Sequence, residues 1–188
     1  MKIQKIHIHN LNSLKGKHEV DLTAEPLASA GLFAITGSTG AGKSTILDAV
    51  TLALYGRAAR YGKEKSPEHM MSKNTGECSA EVEFEVSGVN YRAVWQRHRS
   101  GNSSGGKIQP PKRYIYDEVG QSLVRGAKEA EHEIEKLIGL DYERFLRSAL
   151  LAQGEFARFL KAKPDERADL LESLTGTEIY SRLSKFAF

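Results

Sequence analysis

The period of the hydrophobic positions changes along this chain, and each change marks a different kind of element. In Met1 to Leu11 (MKIQKIHIHNL), Ile6 and Ile8 fall on one face and Lys5, His7 and His9 on the other, which is the period of a half-buried strand. Asn10 to Gly16 reads as a loop, Lys17 to Leu22 as a second short strand, and Thr23 to Ala30, with Pro26, as a connector. Leu32-Phe33-Ala34-Ile35 is a continuous apolar run and predicts a buried strand. Ile46, Leu47, Ala49, Val50, Leu52, Ala53 and Leu54 then predict a helix apolar on most sides, suited to lying under a sheet. After an irregular polar stretch, Ser79 to Val86 alternates again, Ser87-Gly88 makes a turn, and Val89 to His98 alternates back, an antiparallel hairpin. Residues 99–111 (RSGNSSGGKIQPP) have the composition of a flexible loop, and 114–117 and 122–124 flank a tight turn. From Ala127 the period becomes helical. Ala130, Ile134, Leu137 and Ile138 mark a helix ended by Gly139, and Asp141 caps the next, which carries Phe145, Leu146, Ala149 and Leu150. Gln153-Gly154 interrupts it, Pro164 opens another helix with Leu170, Leu171 and Leu174, and Thr175 to Glu178 fits a capping box. The last helix is still running at Phe188, as expected of an excised piece.

The chemistry concentrates between the apolar run and its helix. Gly37-Ser38-Thr39-Gly40-Ala41-Gly42-Lys43-Ser44 fits G-x-x-x-x-G-K-[ST], the phosphate-binding loop, and strand, glycine loop and helix follow in the order the chemistry needs. Backbone N–H groups from Gly40 to Ser44 converge on closely spaced phosphate oxygens where glycines leave room. The positive end of the helix adds to their field. Lys43 supplies a mobile charge for the β- and γ-phosphates, and the Ser44 hydroxyl is placed to ligate Mg2+. ATP and Mg2+ are therefore the expected ligands.

Composition changes this picture little. The 188 residues suffice for one well-cored domain, with 40% hydrophobic and 27% charged residues. A net charge of +3 neither requires nor excludes nucleic acid. No apolar run reaches membrane-span length and no signal-peptide pattern opens the chain, so a membrane is not an expected partner. Cys78 is the single cysteine, which suits a cytoplasmic protein.

Other residues carry chemistry less directly. His7 and His9 share a strand face, but no third ligand stands nearby in sequence, and a wetted face is the favoured reading. Asp117 could pass for the acidic residue that ends the second strand of a P-loop ATPase. Only three apolar residues precede it, a proline pair stands before them in the manner of an edge strand, and Asp117 to Gly120 reads as a hairpin turn. No guanine-reading N-K-x-D motif is present. Gln153 stands where an apolar helix breaks. From spacing alone it is either a locally bonded helix end or an amide reaching Mg2+ and the γ-phosphate. Lys107, Lys112 and Arg113, with Arg92, Arg97 and Arg99 on the neighbouring hairpin, form either a solvated face or a patch that meets DNA phosphates without reading bases.

NLNSLKGKHEVDL, GLFAITGSTGAGKSTILDAVTLALYG, CSAEVEFEV and SALLAQGEFARFLKAKPDERADLLESLTGTEIY together resemble the N-terminal ATPase lobe of SbcC, the bacterial branch of the SMC-like DNA-repair ATPases. The resemblance implies an α/β fold: a P-loop NTPase of the ABC type, its head split by a long coiled coil. Residues 1–176 would form the N-terminal lobe, with the P-loop at 37–45, β hairpins at about 79–124 and a helical segment at about 127–176. Residues 177–188 would root the coiled coil. Gly37 to Thr45 would be the Walker A loop, with Lys43 catalytic, and Gln153 the Q-loop glutamine that joins Ser44 at Mg2+. Asn12 and Ser13, and Lys73 in Ser72-Lys73-Asn74, would lie by the nucleotide, although relatives often carry arginine where Asn12 stands. The resemblance further implies a C-terminal lobe bearing Walker B and the signature, a second copy of the head, the nuclease SbcD and double-stranded DNA as partners. ATP would control cutting of DNA ends and hairpins. The rival readings are a transporter-type ABC subunit and a nucleotide-binding scaffold without catalysis.

Overall fold

In the computed structural model, residues 1–61, 68–124 and 126–148 are described. Six strands form one antiparallel sheet: β1 (Lys2–Leu11), β2 (Leu14–Asp21), β3 (Glu77–Val86), β4 (Val89–His98), β5 (Lys112–Tyr116) and β6 (Ser122–Val124), in the order β2-β1-β3-β4-β5-β6. The alternation fixes which face is dry. Ile6 and Ile8, Ala80, Val82 and Phe84, Ala93 and Trp95, and Ile115 all point one way, each at most 5% exposed. Helix α1 (Lys43–Tyr55) covers that face, packing on β1, β3 and β4 through an apolar set that includes Val50, Leu52 and Leu54. Each such side chain taken fully from water contributes roughly 1.5–3 kcal/mol. Helix α2 (Ala127–Ile138) packs beside α1 and β5, buries Ala130 and Ile134, and ends at Gly139 with φ 77°.

The β3–β4 hairpin keeps full register from Glu77↔His98 to Val86↔Val89, as the alternation predicts. The first hairpin is tighter than expected. Strand β1 runs to Leu11 and β2 restarts at Leu14, so the predicted loop at 10–16 shrinks to two residues. Asn10 accounts for this. Its carboxamide accepts the Gly16 N–H (2.8 Å) and donates to the Glu77 carbonyl (3.1 Å), pinning the turn to β3. Residues 99–111 are closed by backbone bonds, among them Ser100 N–H to Lys107 O (2.9 Å) and Gln109 N–H to His98 O (2.9 Å), rather than open as composition suggests. Strand β5 is interior and β6 is the edge, contrary to the edge-strand reading of the proline pair.

The predicted strand at Leu32–Ile35 does not form. Leu32 is 93% exposed, Phe33 48% and Ile35 43%, and the segment pairs with no described strand. A buried central strand needs ladder partners on both sides, and this segment enters none of the described strand pairings.

The chain divides into two compact units, Met1–Gly139 and Leu140–Phe188. The described part of the second includes α3 (Tyr142–Ser148), where the Asp141 carboxylate accepts the Arg144 N–H at 2.8 Å, the predicted cap. Gln153, the helix after Pro164, the capping box at 175–178 and residues 177–188 lie outside the described residues. Among the described residues no helix is long and apolar enough to cross a membrane.

Candidate functional site

The N-terminus of α1 is left open by sequence. Its N-cap is Gly42, which offers no side-chain oxygen, and no acidic residue stands in the first turn. The first helical N–H groups therefore keep their attraction for an anion, reinforced by roughly half a positive charge from the helix dipole. Gly42 must be glycine on two counts. Its φ is +96°, and a Cβ there would lie 2.6 Å from a Leu14 methyl. Leu14 thus packs the start of β2 directly against the phosphate loop.

Lys43 is folded back on that loop. Its Nζ donates to the carbonyls of Gly37 and Ser38, both at 2.7 Å. These two bonds hold a cation beside the helix start.

An open cleft of about 310 Å3 lies there, lined by Gly40, Gly42, Lys43, Ser44 and Thr45 together with Asn12, Ser13 and Arg60. The β1–β2 turn carries Asn12 and Ser13 to the cleft because it is docked on the segment before β3. Asn12 N–H donates to Met70 O (2.7 Å), Ser72 N–H to Asn10 O (2.9 Å), and the Ser72 hydroxyl to Asn12 O (2.9 Å). The Asn12 Nδ2 is buried and has no hydrogen-bond partner among the described residues, so it is a donor in want of an acceptor. Lys73 is exposed and does not line the cleft. Gly37 and Ser38 act through their carbonyls, and Thr39 and Ala41 are likewise not among the lining residues.

Arg60 escaped the sequence reading. It follows α1 in a short 3-10 helix, Ala59–Tyr61, and its Nη2 reaches the Asp48 carboxylate at 2.5 Å. The Asp48 side chain is 4% exposed, and burial pushes its carboxyl above the usual range while Arg60 draws it back. An acid in the apolar stretch of a helix was the available signal, since such a group needs a cation from elsewhere.

The proposed basic patch is largely spent on the fold. Arg113 is 4% exposed and donates to the Leu54 and Ala127 carbonyls, at 2.5 and 3.0 Å. Burial draws its pKa down to about 10. It caps the C-terminal end of α1, whose last turn has no basic residue, and it lies against Gly56, where φ is +70°. Its register with Trp95, two residues from inward Ile115, puts it on the dry face and is the reason it cannot meet phosphates. Arg97 donates to Gln109 O, Arg99 to Gly106 O, and Arg92 pairs with Glu81 over the Tyr116 ring, which leaves Lys107 and Lys112 exposed. Asp117 is a turn carboxylate that accepts the Gln121 N–H at 2.7 Å, as the turn reading has it.

Folding gives His7 neighbours that spacing could not reveal. Glu19 lies 3.3 Å from Nδ1 and Glu83 3.4 Å from Nε2, and His7, Glu81 and Glu83 offer atoms within 4.8 Å of one another. Lys5 and Arg92 stand in the same ladder, paired with Asp21 and Glu81, so the face is an alternating charge network. Among the described residues His9 belongs to no such group; its Nδ1 is 3.9 Å from Glu77.

An antiparallel sheet backed by a helix that opens on a bare glycine loop is the architecture of the N-terminal lobe of a P-loop ATPase head. The family model described as "AAA domain" matches residues 5–185, and the chain belongs to that family. It is 42% identical over all its length to the SbcC component of the SbcCD nuclease of Pseudomonas aeruginosa, and 41% identical over 98% of its length to that of Rhodobacter capsulatus. A probable DNA double-strand break repair Rad50 ATPase from Aquifex aeolicus is 34% identical over the whole chain. The chain spans 17%, 16% and 18% of these relatives. A solved structure from work on ATP-driven dimerization and DNA-stimulated activation of SMC ATPases shares the fold, with a TM-score of 0.58 and 18% identity over 93% of this chain and 99% of that one.

Proposed function

We propose that this chain is the ATP-binding part of an ATPase head that works with a C-terminal lobe to control a DNA nuclease. The observation that carries the reading is the uncapped start of α1, with Lys43 held beside it and no carboxylate among the described residues that line the cleft. Such a site suits a polyanion and repels few others. Asn12, a buried donor without an acceptor, fits the same ligand.

ATP with Mg2+ would supply the γ-phosphoryl group and the metal charge. In this reading Lys43 leaves the Gly37 and Ser38 carbonyls for phosphate oxygens and neutralises charge there. The Ser44 hydroxyl holds Mg2+, Gln153 joins it, and the α1 amides orient the phosphates. Asn12 and Ser13 border the nucleotide; Lys73 is a weaker candidate, because it stands outside the cleft. The exposed apolar residues Leu32, Phe33 and Ile35, with Leu47, suit cover by strands of the C-terminal lobe, which would complete the sheet beside the phosphate loop. A second head, a nuclease partner of the SbcD kind and double-stranded DNA are the further partners of this reading. The setting is cytoplasmic, and Lys107 and Lys112 are the patch residues left to meet phosphates.

The test is ATP turnover by the whole protein with its nuclease partner, native against Lys43→Ala. Turnover should fall at least tenfold, as removal of a cation from a developing phosphoryl charge does. Unchanged turnover would remove Lys43 from the mechanism.

A further inference from the structure

We propose that the solvent-facing side of the sheet carries a binding site for a divalent transition-metal ion, zinc above all, made by His7, Glu81 and Glu83 and braced by Glu19. The site stands apart from the nucleotide reading. Ile6 and Ile8 are buried towards α1, so His7 between them faces the other way, and none of the four residues lines the cleft at the phosphate loop.

Three strands assemble the site. Register sets Glu19 of β2, His7 of β1 and Glu81 of β3 in one row across the sheet, and Glu83 follows two residues along β3 on the same face. The Nε2 of His7 is directed at Glu83 Oε1, 3.4 Å away. Ligands bound to one zinc ion at about 2.0–2.2 Å stand roughly 3–3.5 Å from each other, so this pair already has the spacing of neighbouring ligands. One atom from each of His7, Glu81 and Glu83 lies within 4.8 Å of the others, a gap that rotation of a glutamate side chain closes.

The imidazole makes the cluster more than a row of acids. A neutral ring has one N–H, and His7 has a carboxylate near each nitrogen: Glu19 at 3.3 Å from Nδ1 and Glu83 at 3.4 Å from Nε2. With the proton on Nδ1, beside Glu19, the Nε2 lone pair faces the Glu83 oxygen, and the two repel unless a cation stands between them. A ligating histidine is oriented in this way, its far nitrogen held by a carboxylate and its near one left for the metal. Charge points in the same direction. Among the described residues around His7, this face sets Glu19, Asp21, Glu81 and Glu83 against Lys5 and Arg92. Lys5 is held by Asp21 and Arg92 reaches Glu81 at 3.5 Å, which leaves Glu19 and Glu83 to flank one histidine. A dication balances that pair. One imidazole with carboxylates suits zinc, whereas Mg2+ keeps to octahedral oxygen sites.

The experiment titrates the untagged whole protein, free of nucleotide and in excess Mg2+, with zinc by calorimetry and with cobalt by its visible ligand-field bands. The variants are His7→Gln, Glu83→Gln and Arg92→Gln, with His9→Gln as control and circular dichroism to verify the fold. Differences from the native chain read this site whatever metal the rest of the protein holds. Loss of His7 or of Glu83 should weaken zinc binding at least tenfold and diminish the cobalt bands. Arg92→Gln should tighten binding by releasing Glu81, and His9→Gln should change neither reading. Zinc should also raise the thermal midpoint of the native chain more than that of Glu83→Gln. Unchanged zinc affinity in His7→Gln overturns the proposal and leaves an imidazolium bridging two glutamates. An equal loss in His9→Gln overturns it as well, because zinc would then be held by surface histidines at large. If His7→Gln does not fold, Glu83→Gln decides by the same readings, and unchanged affinity there overturns the proposal.

Discussion

Lys43 is bonded to Gly37 across the phosphate loop: its ammonium donates to that carbonyl at 2.7 Å, six residues back along the chain. The neighbouring Ser38 carbonyl takes a second bond of equal length. Both lie at the surface, so they place the charge more than they hold the fold. Lys43→Ala should therefore shift the thermal midpoint by less than about 2 °C. Its affinity for MgATP should fall about tenfold or more, since one charge-assisted phosphate contact is lost. Scanning fluorimetry and calorimetry on the same samples separate the two effects.

Gly42 should tolerate no side chain. Gly42→Ala forces a positive φ on alanine, about 1–2 kcal/mol, and pushes a methyl into Leu14 at 2.6 Å, about 1–3 kcal/mol more by overpacking. Urea unfolding should show the sum. In a Leu14→Ala background the same substitution should cost only the backbone part. An equal cost in both backgrounds would show that Leu14 gives way.

Arg113 closes the other end of the same helix. Arg113→Met keeps the length and apolar stem but leaves the Leu54 and Ala127 carbonyls without their donor. Relief of a desolvated charge offsets part of the loss, so the expected cost is about 1–3 kcal/mol, read as a lower urea midpoint. DNA affinity of the whole protein should not change, because the guanidinium is buried.

Two aspartates should respond to acid with opposite sign. Bonds from the Thr23 hydroxyl and N–H hold Asp21 down at about 2, with Lys5 adding to them. Its contribution is present above the ordinary carboxylate range and is lost as pH falls towards 2. Asp48 is raised, chiefly by burial, so its contribution is present in acid and is lost as pH rises through its own pKa. Midpoints of Asp21→Asn and Asp48→Asn against the native chain, from pH 2.5 to 7 on the order of these pKa values, give the test. The gap for Asp21→Asn should widen in favour of the native chain as pH rises, and that for Asp48→Asn should move towards the variant.

Cys78 is buried at 1% exposure, and burial pushes its thiol up to about 12. Iodoacetamide at pH 8, roughly the ordinary thiol range, should leave the native protein unlabelled and modify one site per chain once guanidinium unfolds it. Labelling of the folded protein at the unfolded rate would show that the sheet opens at β3.

Much of this protein is written in local pattern. The alternation of Ala80, Val82 and Phe84 against Glu81, Glu83 and Glu85 determined the central hairpin, Gly139 and Asp141 determined a helix end and a helix start, and the spacing from Gly37 to Ser44 determined the phosphate loop, because each depends on neighbours within a few residues. What depends on a distant partner was decided by tertiary structure. Leu32 to Ile35 has the composition of a buried strand, yet burial needs strands on either side, and none of the described ones pairs with it. Arg113 looks like a surface cation until its register with Trp95 turns it inward to the carbonyls of α1. Arg60 carries no motif at all; it reaches the cleft at the start of α1 because a carboxylate twelve positions earlier, buried by the packing of α1, had to find a cation. Local period is a property of the chain, whereas desolvation exists only once the chain has closed on itself, and desolvation is what set the roles of these charges.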